Sequence, residues 1–133
     1  MRDLVVFDTN VFVSYFWTSN ETSAVKIVVR KITQNKVIPV FSDEIMREYI
    51  DVLTRKKFGF VQHKICSFLK LIRVNGLCVN PTPTGVPFTD ASDKCFYEAA
   101  VAAGAWLVTG NKRHFPNEGF IVTPRQWLDL VVL

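Results

Sequence analysis

The chain has 133 residues and a formal net charge of +4; 49% of its residues are hydrophobic and 21% are charged. This balance excludes an intrinsically disordered chain. No stretch approaches the ~18 uncharged apolar residues of a membrane-spanning helix, and Asp3 and Asp8 interrupt the N-terminal apolar segment, which argues against a signal peptide. Three widely spaced cysteines without a Cys-x-x-Cys motif favour a reducing compartment. We therefore expect one soluble, cytoplasmic domain over residues 1–133.

Short apolar runs alternate with segments of helical spacing along the chain. Continuous apolar runs are typical of strands buried on both faces of a sheet, and they occur at residues 4–7, 37–41, 77–79, 105–108 and 120–122. The intervening segments predict six helices. The first begins at Asn10, and the others cover residues 24–35, 42–55, 60–75, 91–103 and 124–133. This alternation predicts an α/β sandwich with a mostly parallel sheet.

In such a sheet, ligands bind outside the carboxyl ends of the strands, so the residues that follow each strand are the first candidates for a site. Asp8 directly follows the first strand, where a buried charge is costly unless a partner compensates it. A helix N-cap and a metal ligand explain its position equally well. Glu48 lies between the apolar Ile45 and Val52 on the third predicted helix. It is either a boundary residue with a solvated carboxylate or a second ligand.

Two further acids open the predicted helix over residues 91–103. Asp90 and Asp93 lie where the helix dipole favours carboxylates, and a capping role explains at least one of them. Asp93 is the closer of the two to the apolar face of the helix. After the fourth strand, Gly110 and Asn111 are typical of a turn, but Asn111 also offers an oxygen ligand at the same edge of the sheet.

Together these positions predict a metal site formed by Asp8, Glu48, Asp93 and Asn111, with Asp90 as a further candidate. Crowded carboxylates repel one another, and oxygen ligands select a hard cation such as Mg²⁺ or Mn²⁺. When Asp8, Glu48 and Asp93 are left out, the rest of the chain has 9 acidic residues against 16 basic ones, a charge of +7. A basic body around an acidic site suits a phosphodiester substrate.

A family resemblance is carried by five segments: VVFDTNV at residues 5–11, SDEIMREY at 42–49, DASDK at 90–94, LVTGNK at 107–112 and VTP at 122–124. In order and spacing they resemble the PIN domain nucleases, most closely the single-domain bacterial toxins of toxin–antitoxin pairs. The resemblance implies a three-layer α/β/α sandwich with a mostly parallel sheet of about five strands. It also implies Mg²⁺- or Mn²⁺-dependent endoribonuclease activity, ligands at Asp8, Glu48 and Asp93, an antitoxin partner and frequent homodimers.

Metal-assisted hydrolysis of a phosphodiester suggests roles for the neighbouring residues. We expect Asp8, Glu48, Asp93 and Asn111 to form the catalytic set, with Thr9 and Thr109 orienting a water or a carboxylate. The residues expected to contact RNA phosphates are Lys94, Lys112 and Arg113.

Two alternatives remain open. The family often has Asp where this chain has Asn111, which favours a catalytically weak or inactive PIN-like module that binds RNA or protein. A haloacid dehalogenase-type phosphatase also has an Asp after its first strand. It needs a second acid two residues later, where this chain has Asn10.

Overall fold

The structure, a computed structural model, describes residues 2–131, with side chains to residue 130. Its centre is a five-stranded sheet in which every neighbouring pair of strands is parallel. The strands lie in the order β3-β2-β1-β4-β5. Their bounds are Asp3–Phe7 (β1), Val37–Phe41 (β2), Leu77–Cys78 (β3), Trp106–Val108 (β4) and Ile121–Val122 (β5). The expected parallel sheet is confirmed.

Within residues 2–131, six α-helices connect and cover these strands. Their bounds are Thr9–Trp17 (α1), Ala24–Thr33 (α2), Asp43–Leu53 (α3), Gln62–Asn75 (α4), Ala91–Ala103 (α5) and Pro124–Val131 (α6). A 3₁₀ turn, Lys112–His114, follows β4. The last predicted helix is present, and its residues 132–133 lie outside the described part of the chain. None of the helices within residues 2–131 is long and apolar enough to cross a membrane.

The helices begin and end where local chemistry predicts. The Ser23 and Ser42 hydroxyls accept hydrogen bonds from backbone N–H groups in the first turns of α2 and α3. Gly104 ends α5 with φ of 62°, a left-handed conformation that glycine adopts without steric cost. The helices cover both faces of β1, where Val5, Val6 and Phe7 are all at most 1% exposed. The fold is therefore an α/β/α sandwich.

An aromatic core holds α1 and α3 against the end of β1. Phe12 of α1 is fully buried, and its ring packs against those of Phe7, Tyr49 and Phe68 at centroid distances of 4.9–5.4 Å. The Tyr49 hydroxyl donates a 2.5 Å hydrogen bond to the Phe7 carbonyl. These contacts fix the backbone immediately before Asp8, so the carboxylate that follows β1 is held by a rigid core.

The third strand differs from its prediction as a strand buried on both faces. It is two residues long, and both Leu77 and Cys78 are exposed, with Leu77 at 41%. The reason is topological: β3 pairs only with β2, through Val40 and Phe41, and so lies at the edge of the sheet. An apolar run in the sequence does not distinguish an edge strand from a central one.

Candidate active site

Neighbouring parallel strands bring remote parts of the chain to one edge of the sheet. At that edge the Asp8 backbone N–H donates to the Val108 carbonyl at 2.9 Å, and the Thr109 N–H donates to the Val122 carbonyl at 2.9 Å. The carboxyl ends of β1, β4 and β5 are therefore level with one another. The residues that follow them form the floor of the candidate site.

Asp8 is the most buried carboxylate of this edge, at 6% exposure. Its Oδ2 accepts hydrogen bonds from the Thr109 hydroxyl at 2.8 Å and from the Asn10 side-chain amide at 3.1 Å. Asp8 occupies the N-cap position of α1, but its side chain makes no capping hydrogen bond there. The capping interpretation therefore does not account for the carboxylate, which faces Thr109 and Asn10 instead.

Burial raises the pKa of Asp8 from 3.8 to about 6. The Thr109 hydrogen bond opposes this rise, the negative charge of Asp93 adds to it, and the backbone amides of Thr9 and Asn10 lower the pKa slightly. The environment therefore disfavours a negative charge at Asp8 in the absence of a positive partner. A cation bound at this point would remove that penalty.

Asp90 and Asp93 have different roles at the start of α5. Asp90 caps the helix, since its Oδ1 accepts hydrogen bonds from the Ser92 N–H at 3.0 Å and the Ser92 hydroxyl at 2.8 Å. These bonds lower the pKa of Asp90. Asp93 is 8% exposed, and burial, followed by the charge of Asp90, raises its pKa. Asp93 is thus close enough for its charge to raise the pKa of Asp8, whereas the Asp90 carboxylate is engaged by its own helix.

Glu48 faces the same region from α3 and is half-buried. Burial raises its pKa, the charge of Asp51 adds to this rise, Arg55 opposes it, and Asp90 and Asp93 contribute further. Glu48 is therefore electrostatically coupled to the acids of α5. Within residues 2–131, however, no three acidic, histidine or cysteine side chains are close enough to surround one ion.

The donor set nevertheless suits a magnesium-type ion. Mg²⁺ keeps several of its waters and binds proteins through only one or two carboxylates, and Asp8 and Asp93 supply two. The charge of Asp93 raises the pKa of Asp8, and the charge of Asp90 raises the pKa of Asp93. A divalent cation would relieve this repulsion. The Thr9 hydroxyl is buried beside Asp8 and has no hydrogen-bond partner in the described part of the chain.

Asn111 belongs to a network that joins the two buried carboxylates. Its backbone N–H donates to the Thr109 hydroxyl at 3.0 Å, and that hydroxyl donates to Asp8. Its side-chain nitrogen lies 3.1 Å from the His114 Nε2, and the His114 Nδ1 lies 3.4 Å from the Asp93 carboxylate. A chain of polar contacts therefore runs from Asp8 to Asp93 through Asn111.

Two members of this network, Asn10 and His114, were not predicted as site residues from the sequence. Asn10 donates to Asp8 and accepts a 3.1 Å hydrogen bond from the Gly110 N–H, so it ties the turn after β4 to the start of α1. His114 contacts Asp93 and Asn111 from the 3₁₀ turn. Their proximity in sequence to predicted site residues could have identified them, because Asn10 follows Asp8 by two residues and His114 follows Asn111 by three.

The three basic residues expected to contact RNA differ in their surroundings. The Lys94 ammonium lies 3.9 Å from the Glu98 carboxylate, and the Lys112 ammonium donates to the Gln126 side chain at 3.2 Å. Arg113 is exposed and forms no ion pair with any residue that the structure describes. Of the three, Arg113 is the side chain most available to a phosphate.

Comparison with known protein families adds one finding to this geometry. A family model described as the PIN domain matches residues 4–113. The matched segment contains Asp8, Glu48, Asp93 and Asn111. A search of the curated proteins gives no significant match to the chain.

Proposed function

Because this chain belongs to the PIN domain family, whose members are generally nucleases, we propose that it is a metal-dependent endoribonuclease. The observation that carries this proposal is the pair of buried carboxylates, Asp8 and Asp93, which come from different elements and lie at one edge of a parallel sheet. The pKa of each is raised chiefly by burial. Carboxylates with such perturbed pKa values cluster at functional sites.

In the proposed mechanism Asp8 and Asp93 would hold Mg²⁺ or Mn²⁺, with Glu48 contributing negative charge from α3. Such an ion, when bound, would activate a water and stabilise negative charge on the phosphate. Thr109 and Asn10 both donate to Oδ2 of Asp8, which fixes the orientation of this carboxylate. His114 supports Asp93 in the same way, from 3.4 Å.

The direct test is cleavage of single-stranded RNA by the full chain with Mg²⁺ or Mn²⁺, in parallel with a chelator. We expect cleavage that depends on the metal and internal cuts in a circular RNA, which has no ends. Cleavage that persists in chelator would contradict the metal-dependent mechanism, and activity on linear RNA alone would contradict an endonuclease.

Salt dependence tests the proposed contact between Arg113 and the RNA backbone. The logarithm of RNA affinity should fall linearly with the logarithm of salt concentration, by a slope of about 0.7 for each contacted phosphate. Arg113→Ala should flatten this slope by about that amount, and the double variant with Lys112→Ala should flatten it at least as much. Arg73→Ala, an exposed control near the end of α4, should leave it unchanged. A wild-type affinity that does not respond to salt would argue against nucleic acid as the substrate.

Replacing Asn111 with Asp tests whether this position faces the metal. A unit charge at about 4 Å is worth about 4 kcal/mol per opposing charge at an effective dielectric of about 20, and repulsion from the other acids offsets much of it. We expect about a tenfold gain in Mn²⁺ affinity and lower stability without metal. Calorimetric titration and thermal melts in chelator measure both, with Asn117→Asp in the exposed loop as a charge-matched control. No change in either quantity would show that Asn111 does not face the ion.

A second candidate function is a non-catalytic module that binds RNA or protein, and Asn111 is the observation that favours it. An amide in place of a carboxylate leaves one negative charge fewer for the metal. RNA binding without metal-dependent cleavage would support this alternative. A haloacid dehalogenase-type phosphatase is disfavoured because Asn10 donates its amide to Asp8 and has no acidic proton to transfer.

We extend the proposal to a toxin role on the strength of the five segments that resemble PIN domain toxins. The proposed protein is a cytoplasmic, single-domain toxin that forms homodimers and binds a small antitoxin. Its expression should arrest growth, and Asp8→Asn should abolish the arrest. Co-expression of the product of an adjacent small gene should restore growth, which checks for the antitoxin.

A further inference from the structure

An open stripe of α1 leads away from the candidate active site. At 3.6 residues per turn, Asn10, Ser14 and Trp17 fall within an arc of about 60°, opposite the fully buried Phe12. Asn10 contacts Asp8, Ser14 is exposed, and Trp17 is 63% exposed at the last turn of the helix. A cavity of about 310 Å³, lined by Asn10, Ser14 and Asn111 among others, lies beside this stripe. One surface therefore connects the site with Trp17.

Trp17 packs against two aromatic side chains of the loop between α3 and α4. The rings of Phe58 and Phe60 stack at 5.3 Å with an interplanar angle of 7°. Gly59 between them has φ of 64°, in the left-handed region that favours glycine. Trp17 meets both rings edge-on, at 5.6 Å from Phe58 and 6.3 Å from Phe60. We call these three side chains the aromatic platform.

The loop that carries Phe58 and Phe60 is basic. Residues 54–64 contain four basic residues and no acidic one: Arg55, Lys56, Lys57 and Lys64. Arg55 pairs with Asp51, while the Lys57 ammonium lies 5.1 Å from the centre of the Phe58 ring. An exposed tryptophan that packs on a lysine-bearing loop matches a single nucleic-acid strand, which presents flat bases together with negative phosphates. Surfaces that bind another protein are typically more apolar at their centre and contain fewer lysines.

We propose that the aromatic platform binds single-stranded RNA by stacking one base on Trp17, with Lys56 and Lys57 near the flanking phosphates. This inference rests on the proposed nuclease function and adds a substrate-binding subsite to it. The rise of an α-helix, about 1.5 Å per residue, places Trp17 about 10 Å along α1 from Asn10. That distance corresponds to about three nucleotides at a stacked spacing of about 3.4 Å. Stacking tolerates every base, so the subsite sets strand position and not sequence.

The test begins with equilibrium binding of a labelled single-stranded RNA to the full chain in chelator, where cleavage does not interfere. Trp17→Ala should weaken binding by about fivefold to a hundredfold, the range that loss of one base–aromatic stack produces. Trp17→Phe keeps an aromatic face and should stay within about threefold of the wild type. Val74→Ala, at a 69% exposed apolar position near the end of α4, is the control and should bind as the wild type does.

A second measurement begins with the wild-type protein alone and changes the RNA instead. Each RNA of a series lacks one base, at a position one to five nucleotides from the cleaved bond. Only one of these RNAs should bind the wild-type protein more weakly than the intact RNA does. That same abasic RNA should show no further loss with Trp17→Ala, because the two changes remove one contact. In cleavage assays, Trp17→Ala should raise KM and leave kcat within about threefold.

The outcomes separate the two proposals. RNA binding that depends on Trp17 in a chain that does not cleave would support the platform and overturn the nuclease assignment. Normal cleavage with equal binding by Trp17→Ala and Val74→Ala would overturn the platform alone. A change in oligomeric state on Trp17→Ala, with RNA affinity unchanged, would overturn it in favour of a protein interface.

Discussion

Asp8→Asn is expected to lower metal-dependent RNA cleavage by about a thousandfold or more, because a metal ion contributes several kcal/mol of charge stabilisation that depends on its ligands. The protein should remain folded. Both side-chain hydrogen bonds to Asp8 end on the same oxygen, Oδ2, and the carbonyl oxygen of Asn accepts them equally well. Cleavage rates at saturating Mn²⁺, together with melting curves, measure these two effects.

The same variant should change how stability depends on pH. The folded-state pKa of Asp8, about 6, lies above the model-compound value of 3.8, so ionisation disfavours the folded state. The contribution of Asp8 to the free energy of unfolding is therefore largest below about pH 4. It decreases by about 3 kcal/mol as the pH rises through about 6. In chelator, Asp8→Asn should match the wild type near pH 4 and become more stable above pH 6. Denaturant unfolding at several pH values measures this difference.

The control for both effects is Asp3→Asn, which makes the same chemical change at an exposed position of β1. It should leave cleavage and the pH profile of stability unchanged. An Asp8→Asn protein that is unfolded near neutral pH would mean that the carboxylate is a structural element. One that cleaves RNA at the wild-type rate would remove Asp8 from the catalytic set.

Asp93→Asn is expected to lower cleavage by about a hundredfold or more, since it removes the second buried carboxylate of the proposed metal site. The competing explanation is that Asp93 only stabilises the N-terminus of α5. In that case the variant should lose about 0.3–1 kcal/mol of stability and keep its activity. Calorimetric Mn²⁺ affinity, cleavage rate and free energy of unfolding together distinguish the two explanations.

Asp90 offers a charge-matched control for this prediction, three residues away on the same helix. Its carboxylate caps α5 through Ser92, and Asn caps helices as well as Asp does. Asp90→Asn should therefore keep both its stability and, within about threefold, its cleavage rate. An equal loss of cleavage in the two variants would make Asp90 a ligand, and an unaffected Asp93→Asn would remove Asp93 from the site.

Local sequence patterns were sufficient for the architecture and for the edge of the sheet that holds the candidate site. The runs at residues 4–7 and 105–108 predicted β1 and β4 because continuous apolar strands need cover on both faces. Helices between them force parallel pairing, and parallel strands present their carboxyl ends at one edge. Asp8 and Asn111 were expected at that edge on these grounds alone, since each closely follows a strand.

Interactions between remote residues were decided only by the tertiary structure. A helix cap and a metal ligand were equal explanations of Asp8 in the sequence, because the Thr109 hydroxyl that binds it lies 101 residues away. That contact exists because β4 lies beside β1, and the order of strands in a sheet is not encoded in their apolar runs. The exposure of Leu77 in β3 follows from the same order.

The sequence by itself determined the fold class, the candidate acids and the family resemblance, because each depends on residues close together in the chain or on their order. It did not determine that Asp90 caps α5 while the charge of Asp93 acts on Asp8, since both acids fit the first turn of a helix. Nor did the sequence reveal that the Trp17 ring packs against those of Phe58 and Phe60. Side-chain partners depend on how helices pack on the sheet, and packing is a property of the whole folded chain.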